Sequence, residues 1–400
     1  MTAAVIFTAT YVVVALGRVP GLRLDRTGAA VVGAAFMIAF HVVSAEEAFR
    51  MVDLGTIVLL FGMMVVVAHL KLAGFFRWAG VTVARRARSP RQLLAGLVVV
   101  SGLLSALFVN DTVCLALTPL VLEVTAALGV RPLPYLLALA TASNLGSVAT
   151  PTGNPQNMLV AVASGIPYAS FFRALAPVAA ASLVLDFVVI ALVYRAEMAR
   201  PFDAPPHPHV KVHGFLMAKG LAASAAMLAF FFAGAHVSVV ALTAGAALLL
   251  TRRVKPEKVF LEINWNLLTF FAGLFVVVGA ARASGLADRL FEVLHAREAH
   301  SVAALSLVST VLSNVVSNVP AVMLFTPLVP SLPDPTRAWL ALAMSSTLAG
   351  NLTLLGSIAN LIVAEGARRT APISFAEYLK VGVPVTVSSL VAGLLLLGPR

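Results

Sequence analysis

The sequence predicts an all-α polytopic membrane protein made of two inverted repeats, with about ten transmembrane helices, two re-entrant hairpins and two discontinuous helices. Three observations carry this prediction: the composition, two apolar segments with polar centres, and an internal repeat. Of the 400 residues, 60% are hydrophobic and only 11% are charged, and the mean hydropathy is +0.97. This composition is typical of membrane-spanning chains and not of soluble domains.

The charge and cysteine patterns argue against a nucleic-acid-binding, disulfide-linked or metal-binding protein. The net charge is +11, but Lys and Arg lie between hydrophobic runs, as the positive-inside rule requires, so we predict no nucleic-acid partner. The single cysteine, Cys114, excludes an intramolecular disulfide and a multi-cysteine metal site. His207 and His209 lie in a proline-rich stretch, and we interpret them as linker residues and not as metal ligands. The first apolar run, residues 3–16, lacks a basic n-region and is interpreted as a membrane span.

Apolar runs place the crossings along the chain. The predicted spans lie near 3–17, 27–43, 54–71, 134–164, 173–195, 214–232, 236–252, 264–282, 337–365 and 376–397. The loops rich in Arg and Lys between them would face the cytoplasm, which puts both termini outside. Residues 74–88 and 285–297 mix apolar and charged side chains, and we predict either interfacial helices or solvated linkers there.

Two segments, 92–128 and 300–330, each contain two apolar halves around a polar centre. The centres are SALFVNDTVCLALTPL and LSNVVSNVPAVMLFTPL. If each half crossed the membrane, the basic loops around Arg88 and Arg131 would conflict with the orientation of the remaining chain. A re-entrant hairpin, which enters and leaves by the same face, removes this conflict.

The stretch from Gly146 to Asn157, GSVATPTGNPQN, has the composition of a loop inside hydrophobic sequence. Its glycines and prolines should break a membrane helix. We therefore predict discontinuous helices at 134–164 and at the matching position of the second half, 337–365. Backbone groups freed by such a break are tolerated in a membrane only where they line a cavity or bind a ligand.

An internal repeat divides the chain into a first half at 1–200, a cytoplasmic linker at 201–213 and a second half at 214–400. Because each half holds five predicted crossings, an odd number, the second half would be inserted upside down relative to the first. Inverted repeats with discontinuous helices are the pattern of secondary transporters. The residues that match at an offset of 211 to 203 include Gly62 and Gly273, Asn110 and Asn318, Gly153 and Gly356, and Asn157 and Asn360.

Candidate substrate and ion ligands lie at the hairpin tips and the helix breaks. Helix ends there expose N–H groups that suit an anion or an oxyacid, while carbonyl groups and Asn side chains suit a small cation or hydroxyl donors. For an isolated Ser or Thr, helix capping or interhelical hydrogen bonding is the simpler explanation. The candidates are Asn110, Asp111, Thr112, Ser147, Thr150, Thr152, Gly153, Asn154 and Asn157 in the first half, and Ser317, Asn318, Asn351, Thr353, Gly356, Ser357 and Asn360 in the second.

Asp111 is the candidate proton carrier. An acid at the tip of a re-entrant hairpin is costly to desolvate unless it is neutral, paired or hydrated, and no basic residue lies in the neighbouring hydrophobic sequence. The alternative is that Asp111 caps the second helix of the hairpin. Asp186, deep in the span 173–195, is a secondary relay candidate, which we expect to meet a polar partner between helices.

These segments resemble a known family. FVNDTVCLALTPLVLE, ATASNLGSVATPTGNPQNMLVA, SNVVSNVPAVMLFTPL and LAGNLTLLGSIANLIVAE are similar to signature segments of the ion-transporter superfamily, which includes ArsB arsenite permeases, NhaD-type antiporters and divalent-anion/sodium symporters. The GNPQN segment is most similar to anion permeases related to arsenite and plant silicon efflux transporters. The resemblance implies a homodimer with a scaffold and a mobile transport domain that moves like an elevator.

One motif departs from the family pattern. The hairpin tips of the family carry Ser-Asn-Thr, and the resemblance places the second tip of this chain at Ser317-Asn318-Val319. The first tip is Val109-Asn110-Asp111, which weakens the inference of two symmetric sodium sites.

The prediction is therefore a multi-pass permease of the cell (cytoplasmic or inner) membrane that moves small inorganic anions or oxyacids, such as arsenite or silicic acid, by proton-coupled efflux. A sodium-coupled anion or dicarboxylate symporter and a sodium/proton antiporter are the alternatives, and the broken helices disfavour a passive channel. No enzyme motif occurs in its proper context, so we predict no enzyme and no cofactor, with H⁺ or Na⁺ as the coupling ion. The expected partners are membrane lipid, the cargo, a second copy of the chain and a separate ATPase subunit.

Overall fold

The computed structural model describes residues 1–17, 24–200, 212–251, 253–286 and 301–398, and the described residues are predominantly α-helical. The first-half helices are α1 Thr2–Leu16, α2 Arg26–Ala39, α3 Ala45–Met51, α4 Leu54–Ala73, α5 Phe75–Arg86, α6 Pro90–Leu107, α7 Asn110–Ala127, α8 Leu133–Ser147, α9 Pro155–Ser164, α10 Tyr168–Val193 and α11 Arg195–Met198. The later helices are α12 Gly214–Phe232, α13 Val237–Leu249, α14 Pro256–Phe260, α15 Trp265–Ala283, α16 Val302–Val316, α17 Asn318–Phe325, α18 Pro335–Ala349, α19 Ile358–Ala367 and α20 Phe375–Leu397.

Both predicted hairpins consist of two helices joined by a very short turn. Residues 108 and 109 join α6 to α7, and Ser317 alone joins α16 to α17. Both predicted helix breaks are also present. The first separates α8 from α9 at 148–154, and the second separates α18 from α19 at 350–357 and contains a short 3₁₀ turn, Leu354–Gly356.

The lengths of the helices differ from the predicted spans in several places. Within the described residues, six helices are long and apolar enough to cross a membrane: α4, α6, α10, α12, α15 and α20. The predicted spans 3–17, 27–43 and 236–252 are helical over 15, 14 and 13 residues. Each is shorter than the roughly 20 residues that a perpendicular crossing needs, so the number of crossings stays a prediction.

Three short helices lie outside the predicted membrane spans. The segment 74–88 is helical as α5, whereas α3 and α14 are unpredicted helices that precede α4 and α15. A Ser44–Glu47 capping box begins α3, which explains why a charged sequence forms a helix there. Most of the linker 201–213 and most of the segment 285–297 lie outside the described residues.

The helices pack in two groups. The α4 group contains α1 to α4 and α12 to α15, and the α8 group contains α5 to α11 and α16 to α20. The α8 group contains both hairpins and both broken helices. A few contacts join the groups, notably α9 with α4, α1 with α16 and α15 with α17.

Helix pairs repeat between the two halves of the chain. The helix α4 packs against α13 as α15 packs against α2, and α6 packs against α8 as α16 packs against α18. Both contacts in the α4 group need a glycine, because a Cβ at Gly62 would lie 2.5 Å from the Ala241 carbonyl carbon and one at Gly273 would lie 2.8 Å from that of Ala30. The inverted membrane orientation of the second half and the boundaries at 200 and 214 stay predictions.

Candidate functional site

The two helix breaks and the first hairpin tip meet in one buried polar cluster inside the α8 group. Such a cluster is costly in a hydrophobic interior unless its groups are hydrogen-bonded to one another. The network that joins them consists of side-chain amides, hydroxyls and main-chain carbonyls, and it connects α7, α8, α9, α18 and α19.

Asn144, on α8, is the centre of this cluster. Its Oδ1 accepts hydrogen bonds from Asn110 Nδ2 at 2.8 Å and from Ser357 Oγ at 3.1 Å. Its Nδ2 donates to Asn351 Oδ1 at 2.8 Å and to Asn360 Oδ1 at 3.1 Å. The side chain of Asn144 therefore joins the first hairpin tip to the second break.

The two breaks are held by equivalent bonds from equivalent asparagines. Asn157 Nδ2 donates to the carbonyl oxygens of Ser147 and Thr150, both at 3.0 Å. Asn360 Nδ2 donates to the carbonyl oxygens of Gly350 and Thr353 at 2.7 and 3.2 Å. Each asparagine thus satisfies carbonyl groups that the broken helix would otherwise leave unpaired in the interior.

A second set of amides crosses from the first break to α18. Asn154 caps α9 by accepting from the Asn157 main-chain N–H at 2.9 Å. Its Nδ2 donates to Ser147 Oγ at 2.7 Å and to Thr347 Oγ1 at 3.2 Å. Thr347 in turn donates to Asn157 Oδ1 at 3.2 Å and accepts from Gln156 Nε2 at 3.2 Å.

The first hairpin tip is tied to the first break. The Asn110 main-chain N–H donates to the Gly153 carbonyl at 3.0 Å, and the Asp111 N–H donates to Asn110 Oδ1 at 3.0 Å. A side chain does not fit at Gly153, because its Cβ would lie 2.3 Å from the Ser147 carbonyl oxygen.

Asp111 lies in the first turn of α7, but it is not the N-cap, which is Val109. The alternative that Asp111 caps this helix is therefore wrong, although the positive end of the helix dipole still favours its negative charge. Asp111 is half-buried, and its carboxylate has no hydrogen bond or ion pair within the described part of the chain.

The second hairpin tip has different properties. Ser317 has φ 78° and ψ 158°, a region that is almost restricted to glycine and costs about 1–3 kcal/mol. The neighbouring Asn318 is buried, and its Nδ2 lies near Gly350, where an added Cβ would be 3.1 Å away. Among the described residues, Asn318 Oδ1 has no hydrogen-bond partner. This oxygen is therefore available to a hydroxyl group of a cargo.

The remaining candidates lie at the edge of the network. Thr152 exchanges a hydrogen bond with the Tyr168 hydroxyl at 3.1 Å, and Thr150 donates to the Ala106 carbonyl. In the equivalent position of the second half, Thr353 donates to Asn314 Oδ1 at 3.3 Å. Thr112 is half-buried in the first turn of α7, outside the bonds described above.

An open cavity of about 670 Å³ reaches the second hairpin tip. It lies between the two helix groups, and its polar lining includes Arg26, Asn266, Asn314 and Ser317.

Several residues of the cluster are not among the candidates predicted from the sequence. The network also depends on hydrogen bonds of Asn144, Thr347, Gln156 and Asn314. Asn144 and Thr347 lie within the regular helices α8 and α18, before the breaks. The repeat contained a signal for them, because Asn144 and Thr347 match at the offset of 203 residues. In the structure, Asn144 bonds Asn360 and Thr347 bonds Asn157, so each bonds the break asparagine of the opposite half.

Asp186 lies apart from this cluster, on α10. It is fully buried, and neither carboxylate oxygen has a hydrogen-bond partner among the described residues. The Thr141 side chain, on the neighbouring helix α8, approaches Asp186, so a polar side chain lies between the helices as expected, although it makes no hydrogen bond to either carboxylate oxygen.

The chain is similar to known membrane transporters in sequence. The chain matches the profile of the citrate transporter family, CitMHS, over residues 11–334. It is 33% identical to the silicon efflux transporter LSI3 of Oryza sativa subsp. japonica, over 95% of this chain and 94% of that protein. An uncharacterized transporter of Mycobacterium tuberculosis (strain ATCC 25618 / H37Rv) is 31% identical over 98% of this chain and 96% of its own. A transporter named arsB of Dictyostelium discoideum is 25% identical over 93% and 87%.

A solved structure shares the fold. The YdaH transporter of Alcanivorax borkumensis, described as having an unusual topology, matches with a TM-score of 0.57 over 99% of this chain and 96% of that one. The sequence identity is 17%, so this likeness concerns the architecture alone.

Proposed function

The chain belongs to the citrate transporter family and is a secondary transporter, and we propose that it exports small oxyacids or inorganic anions, such as silicic acid or arsenite, in exchange for protons. The family and its relatives are transporters and not enzymes, which confirms that part of the prediction. The chain is likewise a multi-pass membrane protein, and its place in the cytoplasmic or inner membrane is part of the proposal.

The observation that carries the proposal is the chemistry of the buried cluster. Amides, hydroxyls and main-chain groups supply its bonds, and none of its described hydrogen bonds comes from an Arg or Lys side chain. A citrate-like anion would bring several negative charges against a network that contains no Arg or Lys, and Arg26, in the lining of the adjoining cavity, would offer a single positive charge against them. A neutral oxyacid offers hydroxyl groups that both donate and accept, which suits Asn318 Oδ1 and the neighbouring N–H groups.

Proton coupling is assigned to Asp111. Among the described residues it is the acid that lies at the first hairpin tip, and its main-chain N–H is bonded to Asn110, which bonds Asn144 in turn. A change of charge at Asp111 would therefore act on the network that joins the two breaks. The sodium-coupled alternatives require a cation at the same tip.

The elevator-like movement is supported by the division into two helix groups. Both hairpins and both breaks belong to the α8 group, while the α4 group contains continuous helices. A movement of the α8 group along the α4 group would carry the whole cluster from one side of the membrane to the other.

The test is arsenite and silicic acid exchange in proteoliposomes under separately imposed proton and sodium gradients, with citrate as the comparison cargo. We expect exchange that follows the proton gradient, does not require sodium and is uncoupled in Asp111→Asn, because the amide cannot carry a proton. Glu123→Gln is the matched control, since Glu123 lies on the same helix but pairs with Arg77 at 2.9 Å, away from the cluster.

Three results would contradict the proposal. Sodium-driven exchange would favour the symporter, and proton coupling that survives in Asp111→Asn would exclude Asp111 as the carrier. Transport of citrate in preference to both oxyacids would contradict the assignment of the cargo.

A further inference from the structure

Asp186 is a buried acid that the proposed export cycle does not use. It lies in the membrane-spanning helix α10, with no exposed surface and no hydrogen bond to either carboxylate oxygen within the described chain. An unpaired carboxylate in a hydrophobic interior is costly unless it is neutralised. This position therefore needs a proton or another cation.

A second polar group without a partner lies on α20, which packs against α10. The Tyr378 hydroxyl, on α20, is fully buried and also has no hydrogen-bond partner among the described residues, and its electrostatic environment includes Asp186. The Thr141 side chain, on α8, approaches Asp186 as well, but its hydroxyl donates to the Leu137 carbonyl at 2.8 Å. The carboxyl and phenol groups thus lie on two helices that pack against each other, and both have unused bonding capacity.

Few other titratable groups face this position. Cys114, on α7, is buried and interacts electrostatically with Tyr378. At the end of the contact between α10 and α20, the Tyr194 hydroxyl donates to Glu377 at 3.0 Å, and Lys380 pairs with Glu377 at 2.7 Å. The helices α6 and α18, which also pack on α10, present Ser101, Ser105 and Ser345 among their buried polar side chains.

Asn351 connects this region to the main cluster, because it contacts both Thr141 and the surroundings of Tyr378. Asn351 Nδ2 donates to the Thr141 carbonyl at 3.0 Å. A Cβ at Gly382 would lie 2.4 Å from the Asn351 carbonyl oxygen and 2.7 Å from Tyr378 Cε1, so the phenol ring packs close to Asn351. Asn351 in turn accepts from Asn144 at 2.8 Å.

We propose that Asp186 is a second proton-binding site, distinct from Asp111, whose occupancy acts on the second helix break through Tyr378, Thr141 and Asn351. When Asp186 holds the proton, its carboxyl group is neutral and tolerates burial. When the proton passes to water, the Tyr378 side chain moves toward the remaining carboxylate and its hydroxyl donates to it, since the two groups are not bonded in the structure. The two states place the phenol ring differently beside Asn351.

A proton fits this position better than a metal cation does. A metal ion needs several oxygen ligands and usually more than one acid, and the described residues contain no group of three or more His, Cys, Asp or Glu side chains that could hold one. A single proton neutralises Asp186 without further ligands.

The proposal rests on the proposed transport function only for its place in the cycle, and its first test needs no cargo. Infrared spectra of the full-length protein in liposomes would be recorded in acid and alkaline buffer, in H₂O and D₂O. We expect a protonated-carboxyl band that titrates, that is lost in Asp186→Asn and that persists in Asp111→Asn. Tyr378→Phe should shift this band, because the phenol O–H contributes to its environment.

A second measurement follows the second break. Hydrogen–deuterium exchange of peptides that cover residues 348–357 would be compared between wild type and Asp186→Asn at the same pH. Because the amide mimics the protonated acid, the two proteins should coincide in acid buffer and differ in alkaline buffer.

The proposal is overturned if Asp186→Asn retains the full carboxyl band or if the exchange rates of the two proteins coincide at both pH values. If Asp186→Asn does not fold, an unshifted carboxyl band in Tyr378→Phe overturns the proposal instead. Failure of oxyacid export leaves the infrared prediction intact, so the two proposals fail separately.

Discussion

At the scale of the residue, the asparagines solve a problem that a broken membrane helix creates. Each break frees carbonyl and N–H groups that lipid cannot satisfy, and Asn157 and Asn360 fold back to bond the carbonyls on their own break. Asn offers two donors and one acceptor oxygen on a short side chain, so it can hold a break and still contact another helix. Asn318 is the exception, because its Oδ1 has no partner among the described residues.

The strained backbone at Ser317 leads to a prediction with two opposite effects. Ser317→Gly should raise the free energy of unfolding by about 1–3 kcal/mol, because glycine tolerates this conformation. The same change should reduce arsenite exchange, because the tip that presents Asn318 is no longer held in one conformation. Thermal unfolding in detergent and exchange in proteoliposomes measure the two effects.

Ser317→Ala is the matched control, since it removes the hydroxyl but retains the strain. We expect it to leave the stability close to that of the wild type. Equal stability of the glycine and alanine variants would mean that the backbone at this tip is not strained.

At the scale of the element, the two breaks are held by equivalent asparagine bonds but are built differently. The first contains Pro151 and ends at Pro155, the first residue of α9, whereas the second contains the 3₁₀ turn Leu354–Gly356. A proline at the start of a helix lacks only an N–H that would be unpaired there. The first break is therefore restricted by its own sequence, and the second depends more on contacts with Asn144, Asn314 and Asn318.

Gly153→Ala tests how closely the first break is packed. Its Cβ would lie 2.3 Å from the Ser147 carbonyl oxygen, and main-chain atoms cannot move aside as a flexible side chain can. We expect a loss of about 1–3 kcal/mol in unfolding free energy and a loss of transport, measured by thermal unfolding and by arsenite exchange.

Gly214→Ala is the control, because no heavy atom lies within 4 Å of its added Cβ. It should behave as the wild type in both measurements. A Gly153→Ala protein with normal stability would show that the break can open without cost.

At the scale of the whole molecule, the two helix groups lead to a prediction about movement. A Cβ at Gly55, in α4, would lie 3.1 Å from Val162 Cγ1, in α9, so a disulfide between cysteines at these positions would join the two groups. In a Cys114→Ala background, oxidation of the Gly55→Cys/Val162→Cys protein should stop arsenite exchange, and reduction should restore it.

The control joins two helices of the same group. A Cβ at Gly245, in α13, would lie 3.2 Å from Val65 Cβ, in α4, and an oxidised Gly245→Cys/Val65→Cys protein should still transport. Unimpeded transport by the oxidised Gly55/Val162 pair would exclude a sliding movement at this contact.

Much of the fold could be predicted from the sequence, because its signals are local or periodic. The glycines and prolines from Gly146 to Asn157 broke the helix where expected, and the polar centres around Asn110 and Ser317 became the turns of two hairpins. The short helices α3 and α14 were missed because a Ser44–Glu47 capping box and Pro256 at a first helical position, and not hydrophobic runs, mark where they begin.

The site was harder to predict than the fold. The sequence singled out Asn110, Asn154 and Asn360 because each lies beside a break or a tip. It did not single out Asn144 or Thr347, which lie within regular helices and whose hydrogen bonds to the asparagines of the opposite half join residues about two hundred positions apart.

By itself, the sequence determined the helical class, the hairpins, the breaks and the repeat, because hydrophobicity, helix breakers and matched spacing act over short stretches or along the chain. The tertiary structure decided which polar groups are satisfied by one another and which are left without a partner. That outcome depends on the packing of α8, α18 and α20 across the halves, since hydrogen bonding between side chains requires atoms to meet within about 3 Å. For this reason Asn144, a regular helical residue in the sequence, became the centre of the cluster, while Asp186 and Tyr378, on two helices that pack together, were left with unused bonds among the described residues.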